Sequence, residues 1–237
     1  MVEEDRRRVL WRAVAAADGH PGEGTWGQSV CVNCSHLLRG IDAVVITLRA
    51  TTSAQDLLGT NAEWAGLLEN QLYTLGEGPG IQAFTQGDPM LIDDLTAAVH
   101  QWPLFTDAAL SAGAAAVFAF PLQLGAIALG TFDLYRRTPG SLPPSVLADA
   151  ATLANLISLA LLAKADWAET TEHRGISRDG SYHDVHVATG MLAARHGITL
   201  ADAFIRLHAH AFGRGHTVLD SARDVIAHRS DVNEPGE

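Results

Sequence analysis

The chain has 237 residues, 47% hydrophobic and 18% charged, with a mean hydropathy of +0.09. This apolar content suffices for a real core and excludes disorder as the dominant state. Sixteen basic against 27 acidic residues leave a formal charge of −11, which excludes a protein that coats nucleic acid by charge alone.

Residues 3–17 read as a first helix, acidic at its start and ended by Asp18-Gly19. A second helical stretch, roughly Trp26 to Leu38, carries Val30, Cys31, Cys34, Leu37 and Leu38 on one face. Its two cysteines lack a second pair, which excludes a disulfide framework and reads as small core residues. Ala43 to Leu48 is β-branched and short, a buried strand, and a weaker strand around Thr51–Thr60 pairs with it. Residues 62–75 are helical by the spacing of Trp64, Leu67, Leu68, Leu72 and Leu75, and Gly76-Glu-Gly-Pro-Gly80 opens a short helix through about Gln86. Met90-Leu-Ile is a third strand and residues 101–111 a short helix. The runs Ala116–Leu122 and Ile127–Phe132 form an antiparallel pair around a tight turn at Gln123-Leu-Gly-Ala.

Pro139 to Pro144 is a turn or linker, and Ser145 to Thr170 a long helix. Its greasiest run, Ala150–Ala163, is only 14 residues and carries Thr152, Asn155 and Ser158, so it reads as a buried helix in a cytoplasmic protein without a membrane span. A polar stretch from Glu169 to Asp179 marks a domain junction. Beyond it the chemistry changes: residues 1–169 hold nine basic and eighteen acidic side chains, whereas residues 170–237 hold eight of the eleven histidines. Three start motifs at 18-residue spacing, Ser181–Asp184, Thr199–Asp202 and Thr217–Asp220, describe a three-helix unit, each hydroxyl capping the amide three residues on. The expected organisation is α+β: a domain over 1–143 with a central antiparallel sheet flanked by helices, a coiled-coil-like connecting helix over 144–172, a three-helix bundle over 178–230 and a disordered tail over 231–237.

Two stretches carry a family resemblance. Val187-Ala-Thr-Gly-Met-Leu-Ala-Ala-Arg-His-Gly-Ile198, then Ala201-Asp-Ala-Phe-Ile-Arg-Leu207 and Ser221-Ala-Arg-Asp-Val-Ile226, resemble the ANTAR domain of bacterial transcription antiterminators. Leu75-Gly-Glu-Gly-Pro-Gly-Ile-Gln-Ala-Phe84, followed by Gly87-Asp-Pro-Met-Leu-Ile-Asp-Asp-Leu95, resembles a GAF domain of the actinobacterial GAF–ANTAR type. The resemblance implies a sensor controlling an RNA-binding tail that grips paired hairpins in a nascent transcript's leader, where exposed loop bases can be stacked on and hydrogen-bonded. It implies an RNA surface made of Gly190 and Arg195, extended by Arg206, Arg214, His216, Thr217 and Arg223. The tail departs from the family at Thr189, Thr217 and Val218-Leu219, where basic residues are usual; their loss lowers RNA affinity and its salt dependence.

A ligand pocket over the sheet is expected to be lined by Trp64, Phe84, Phe105, Phe118 and Phe132, which an ordinary filled core explains equally well. GAF domains bind many small molecules and some bind none, so the cofactor is unassigned. Asp93-Asp94 reads as a solvated turn, Gly76–Gly80 lacks the ending of a phosphate loop, and no histidine set is completed by a carboxylate or cysteine, so neither enzyme activity nor a metal is expected. The expected partners are RNA and a second copy of the chain, through the connecting helix and GAF domain. The rival reading is a protein-interaction adaptor with the same fold, a tail that binds no RNA and an empty GAF core.

Overall fold

The computed structural model describes residues 2–19, 24–49, 55–170 and 183–227. Five strands form one antiparallel sheet in the order β2-β1-β5-β4-β3, with β1 Ala43–Arg49, β2 Gln55–Thr60, β3 Met90–Ile92, β4 Ala116–Leu124 and β5 Ile127–Arg136. The central strands β1, β4 and β5 are buried on both faces, so they are long apolar runs rather than alternating ones.

On one face lie α1 (Val2–Ala15), α2 (Gly24–Leu37) and α6 (Pro144–Thr170). Leu10 and Val14, Trp26, Val30, Cys31 and Cys34, and Leu153 and Ile157 pack there on Ile46, Phe118, Phe120 and Phe132. Arg6 on α1 donates to Asp149 on α6 at 3.1 Å from Nε, tying the two helices together. On the other face lie α3 (Glu63–Leu75), α4 (Pro79–Gln86) and α5 (Pro103–Ser111), where Leu68, Leu72, Phe105 and Ala109 pack on Val45, Val117 and Tyr135. Helix α2 lies against β2 at two glycines. A Cβ on Gly27 would sit 2.3 Å from the Leu58 carbonyl oxygen, and one on Gly59 would sit 2.3 Å from the Gln28 nitrogen.

The fold class is the expected α+β arrangement, with three adjustments. Strand β2 is described from Gln55, and the earlier part of the expected strand lies outside the described residues. The β4–β5 turn is tighter than expected, because β4 pairs through Leu124 and β5 resumes at Ile127. The helix expected as a connector belongs to the first domain's core through Leu161, since Val146, Ala150, Leu153, Ala154, Ile157 and Leu161 are buried against the sheet and α1. Its stretch Pro144–Ala163 is long and apolar enough to cross a membrane by length and composition, and the buried core face accounts for that apolarity.

Helices α7 (His183–His196), α8 (Leu200–Gly213) and α9 (Val218–Ile226) close a separate core of Val185, Ala188, Leu192, Ala203, Leu207, Ala211, Val218, Ala222 and Val225. The Thr199 and Thr217 hydroxyls accept from the amides of Asp202 and Asp220, both at 3.1 Å. The aspartates reach back to the hydroxyls, at 2.7 and 2.6 Å, rather than to the cap backbone. The Ser181 motif and the 231–237 tail lie outside the described residues.

Candidate functional site

Strand alternation sends Phe118, Phe132 and Leu134 to the α1/α2/α6 face and Thr131, Asp133 and Tyr135 to the other. Thr47 and Arg49 on β1 and Glu69 on α3 join the latter group, so that face holds four buried ionisable side chains in a small space. Arg49 is 6% exposed, and Glu69, Asp133 and Tyr135 are each 2% exposed. Leu72, the Glu77–Gly80 turn, Ile81 and Phe105 complete the wall of a cleft with a water-sized interior of about 10 Å³.

The internal bonding is incomplete. Thr131 donates its hydroxyl proton to Asp133 Oδ2 at 2.7 Å, Tyr135 donates to Glu69 Oε1 at 2.9 Å, and Arg49 Nη1 donates to Gln55 Oε1. Asp133 Oδ1 and Arg49 Nε are buried without a hydrogen-bond partner. Among the described residues no ion pair within 4.0 Å joins Arg49 to Glu69 or Asp133. Buried polar atoms are ordinarily satisfied, and a buried charge without a partner is costly.

Burial accordingly sets the protonation of the cluster. Loss of solvent pushes the Asp133 carboxyl up to about 7, and the charge of Glu69 pushes the same way; Arg49 and the Thr131 hydroxyl oppose them. Glu69 is also raised by burial, against the pull of Arg49, the Tyr135 hydroxyl and Thr47. The Tyr135 hydroxyl is raised far beyond its usual range, first by burial and then by both acids.

The turn between α3 and α4 closes the cleft. Gly76 ends α3 at φ +69°, and Gly78 sits at φ +140°, where a Cβ would come within 2.7 Å of the Phe105 ring. Glu77 Oε1 accepts from the amides of Leu104 and Phe105 at 2.7 and 3.0 Å, capping α5 and fixing that ring. A Cβ on Gly80 would lie 3.2 Å from Asp133 Oδ1 and 3.5 Å from Arg49 Nη2, so the carboxylate and the guanidinium both pack close against this glycine, and a side chain there would press on them.

Of the aromatic residues expected to line a pocket, Phe105 alone is in this wall. Phe118 and Phe132 belong to the opposite core, because the alternation that buries them turns them away. Trp64 stacks edge-on with Tyr135 at 5.9 Å, and the Arg137 guanidinium covers it at 4.5 Å. Phe84 is half-buried on α4 outside the cleft. Asp94 caps the 3-10 turn at Leu95–Ala98 and Asp93 accepts from the Ser141 hydroxyl, so both acids serve turns. Arg49, Glu69, Asp133 and Tyr135 were missed, although a lone acid within Gly-Thr-Phe-Asp-Leu-Tyr of an apolar strand is a visible signal.

Helix α3 has a second role. One turn from Glu69 and directly after Leu72, Tyr73 packs into the core of the three-helix bundle, 5.6 Å from the His208 ring and 6.1 Å from that of Phe204. The Val218 amide at the start of α9 donates to Thr74 Oγ1 at 3.0 Å. Burial lowers the His208 pKa, with a hydrogen bond to the Thr74 backbone opposing. On the bundle, Arg195, Arg206, Arg214 and His216 are exposed, and Gly190 has open space where a Cβ would point. Thr217 serves as the α9 cap, and Arg223 Nε donates to Asp184 at 3.1 Å.

The N-terminal domain has the fold of GAF domains. Among solved structures it is similar to the GAF domain from a phosphoenolpyruvate-protein phosphotransferase of Coxiella burnetii, with a TM-score of 0.52 and 17% identity over 70% of this chain and 97% of that one. It is also similar to the GAF domain from the Acinetobacter phosphoenolpyruvate-protein phosphotransferase, with a TM-score of 0.52 and 11% identity over 70% and 96% of the two chains. A third is free methionine-R-sulfoxide reductase from Neisseria meningitidis in complex with its substrate, with a TM-score of 0.52 and 15% identity over 69% and 92%. At these identities the likeness is one of fold alone. No protein-family model matches the sequence, and no curated protein matches it closely enough to count as a relative.

Proposed function

We propose that this chain is a signal-responsive cytoplasmic regulator: the GAF-fold domain senses a signal at the polar cleft, and the α7–α9 bundle binds tandem hairpins in nascent transcript leaders to promote antitermination. The observation that carries the reading is the double use of α3. Glu69 and Leu72 line the cleft, while Tyr73 and Thr74, directly after Leu72, hold the bundle. A signal that favours one arrangement of α3 over another therefore shifts how the bundle is held, and it does so only through its differential affinity for the two arrangements. The RNA assignment is supported by the ANTAR-like sequence pattern and the exposed Arg195, Arg206, Arg214 and His216. The active form is a homodimer through α1 and α6, whose outer faces expose Trp11 and Leu159.

A second reading, a protein-binding adaptor, is favoured by a different feature of α8. Ile205 is 64% exposed and Phe212 58% exposed, two apolar side chains nearly two turns apart on one helix. Titration of the full chain against a tandem-hairpin RNA and a scrambled-loop control, at two salt concentrations, separates the readings. The regulator binds the paired loops about tenfold or more tightly than the control, and Arg195→Ala weakens that binding. Equal binding to both RNAs, or none, favours the adaptor.

A further inference from the structure

We propose that the polar cleft of the GAF-fold domain is a proton switch: Asp133 holds a proton while the bundle is docked on α3, and its release favours an arrangement in which the two part. This deepens the sensing reading and rests on it. The interior of about 10 Å³ admits a water and no organic ligand, so the signal is one that the lining side chains themselves take up. Two carboxylates, Glu69 and Asp133, stand against one guanidinium, Arg49, each at most 6% exposed. Among the described residues no ion pair within 4.0 Å joins them. Ionising both acids would leave a net negative charge out of water, so one of them keeps a proton. Asp133 receives a single hydrogen bond, from the neutral Thr131 hydroxyl at 2.7 Å, and its Oδ1 is buried without a partner. The other titratable or charged groups around it are Arg49 of β1, Glu69 of α3, Glu77 of the α3–α4 turn and Tyr135 of its own strand. Helices α4 and α5 present the uncharged Gly80, Ile81 and Phe105, and β4 pairs with it through Ala119.

Release of that proton sets a second negative charge on β5 against Glu69 of α3, in a site that excludes water. Tyr73 and Thr74, the bundle's contacts on α3, follow Glu69 on the same helix. Tyr73 packs on Phe204 and His208, and Thr74 Oγ1 accepts from the Val218 amide at 3.0 Å. Repulsion between the two acids therefore acts on the helix that holds the bundle. Burial and then Glu69 push the Asp133 carboxyl up to about 7, so the docked form is favoured below that pH and loses ground above it. The shift is limited by the difference in proton affinity between the two arrangements. His208, on the docking surface itself, changes charge in a lower range, because burial brings it below 6.5.

The test is hydrogen exchange at the Val218 amide in the full chain, corrected for the intrinsic rate at each pH, with melting curves to confirm folding. The Leu207 amide inside the bundle is the reference, since it stays protected when the bundle parts from α3 without unfolding. Between about pH 6.5 and about pH 8.5 the protection of Val218 is expected to fall about fivefold or more while that of Leu207 holds. Asp133→Asn, which cannot ionise, keeps the low-pH protection throughout. Glu69→Gln removes the neighbouring charge and moves the fall to higher pH, since Asp133 then ionises into a site with less repulsion on α3 and the push toward parting is weaker; a smaller fall counts equally. A flat Val218 profile in the wild type overturns the switch, as does the wild-type fall unchanged in a folded Asp133→Asn or Glu69→Gln variant. The hairpin-RNA titration keeps the two readings apart. Loop-dependent RNA binding with a flat Val218 profile overturns the switch alone. The expected Val218 profile in a chain that binds no RNA loop-dependently supports the switch and overturns the RNA reading alone.

Discussion

Asp133 stays protonated in the native chain up to about pH 7, because burial and then Glu69 disfavour its charge more than Arg49 and Thr131 favour it. Unfolded, it ionises near the ordinary value of 3.8. The native state therefore binds more protons between those values, and stability falls as pH rises through that window. Asp133→Asn keeps the shape and removes the titration. Its melting temperature is expected to match the wild type near pH 4 and to exceed it increasingly toward pH 8; parallel curves across that range contradict the buried-acid account. Glu77 gives a second residue-scale prediction. It caps α5 through two amides, so Glu77→Ala costs about 1 kcal/mol in denaturant unfolding and loosens Phe105 over the cleft. The sequence marks Asp133 as an acid in an apolar strand but does not show its surroundings, and it does not mark Glu77 at all. Glu77 acts on a helix 27 positions away, and the role of Asp133 is recognisable only once alternation sets it on the opposite face from Phe132.

At the scale of elements, local patterns located nearly every helix and strand, because most have a glycine, a proline or a capping hydroxyl near an end and an apolar run of the right period. Long-range pairing decides the rest. The aromatic residues expected in one pocket divide between two cores, since Phe118 and Phe132 follow the even positions of β4 and β5. The expected connector helix lies on the sheet through Leu161, a placement that its apolar stripe alone does not distinguish from a coiled coil. The contact of α2 with β2 is equally nonlocal and tests the packing directly. Gly27→Ala forces a methyl onto the Leu58 carbonyl and is expected to cost about 3 kcal/mol by denaturant midpoint. Gly125→Ala is the comparison, since its Cβ meets nothing within 4 Å, and its smaller loss reflects only φ +59°.

For the whole molecule, the decisive relation is between two cores that share α3. The three-helix unit is small, and it gains Tyr73 from the GAF-fold domain as part of its buried cluster. Sequence showed both units and their order, but not this docking, because Tyr73 and Thr74 meet Phe204, His208 and Val218 across more than 130 positions. Regulation in this account is a change in that shared surface, so removing the Tyr73 ring should uncouple the halves while leaving the sheet intact. The most direct measurement is the affinity of the full chain and of Tyr73→Ala for the tandem-hairpin RNA, at one salt concentration and with melting curves to confirm folding. The account predicts loop-dependent binding by both proteins, with affinities differing by about fivefold or more, a coupling of about 1 kcal/mol. Equal affinities in two folded proteins, or no loop-dependent binding by either, would contradict it.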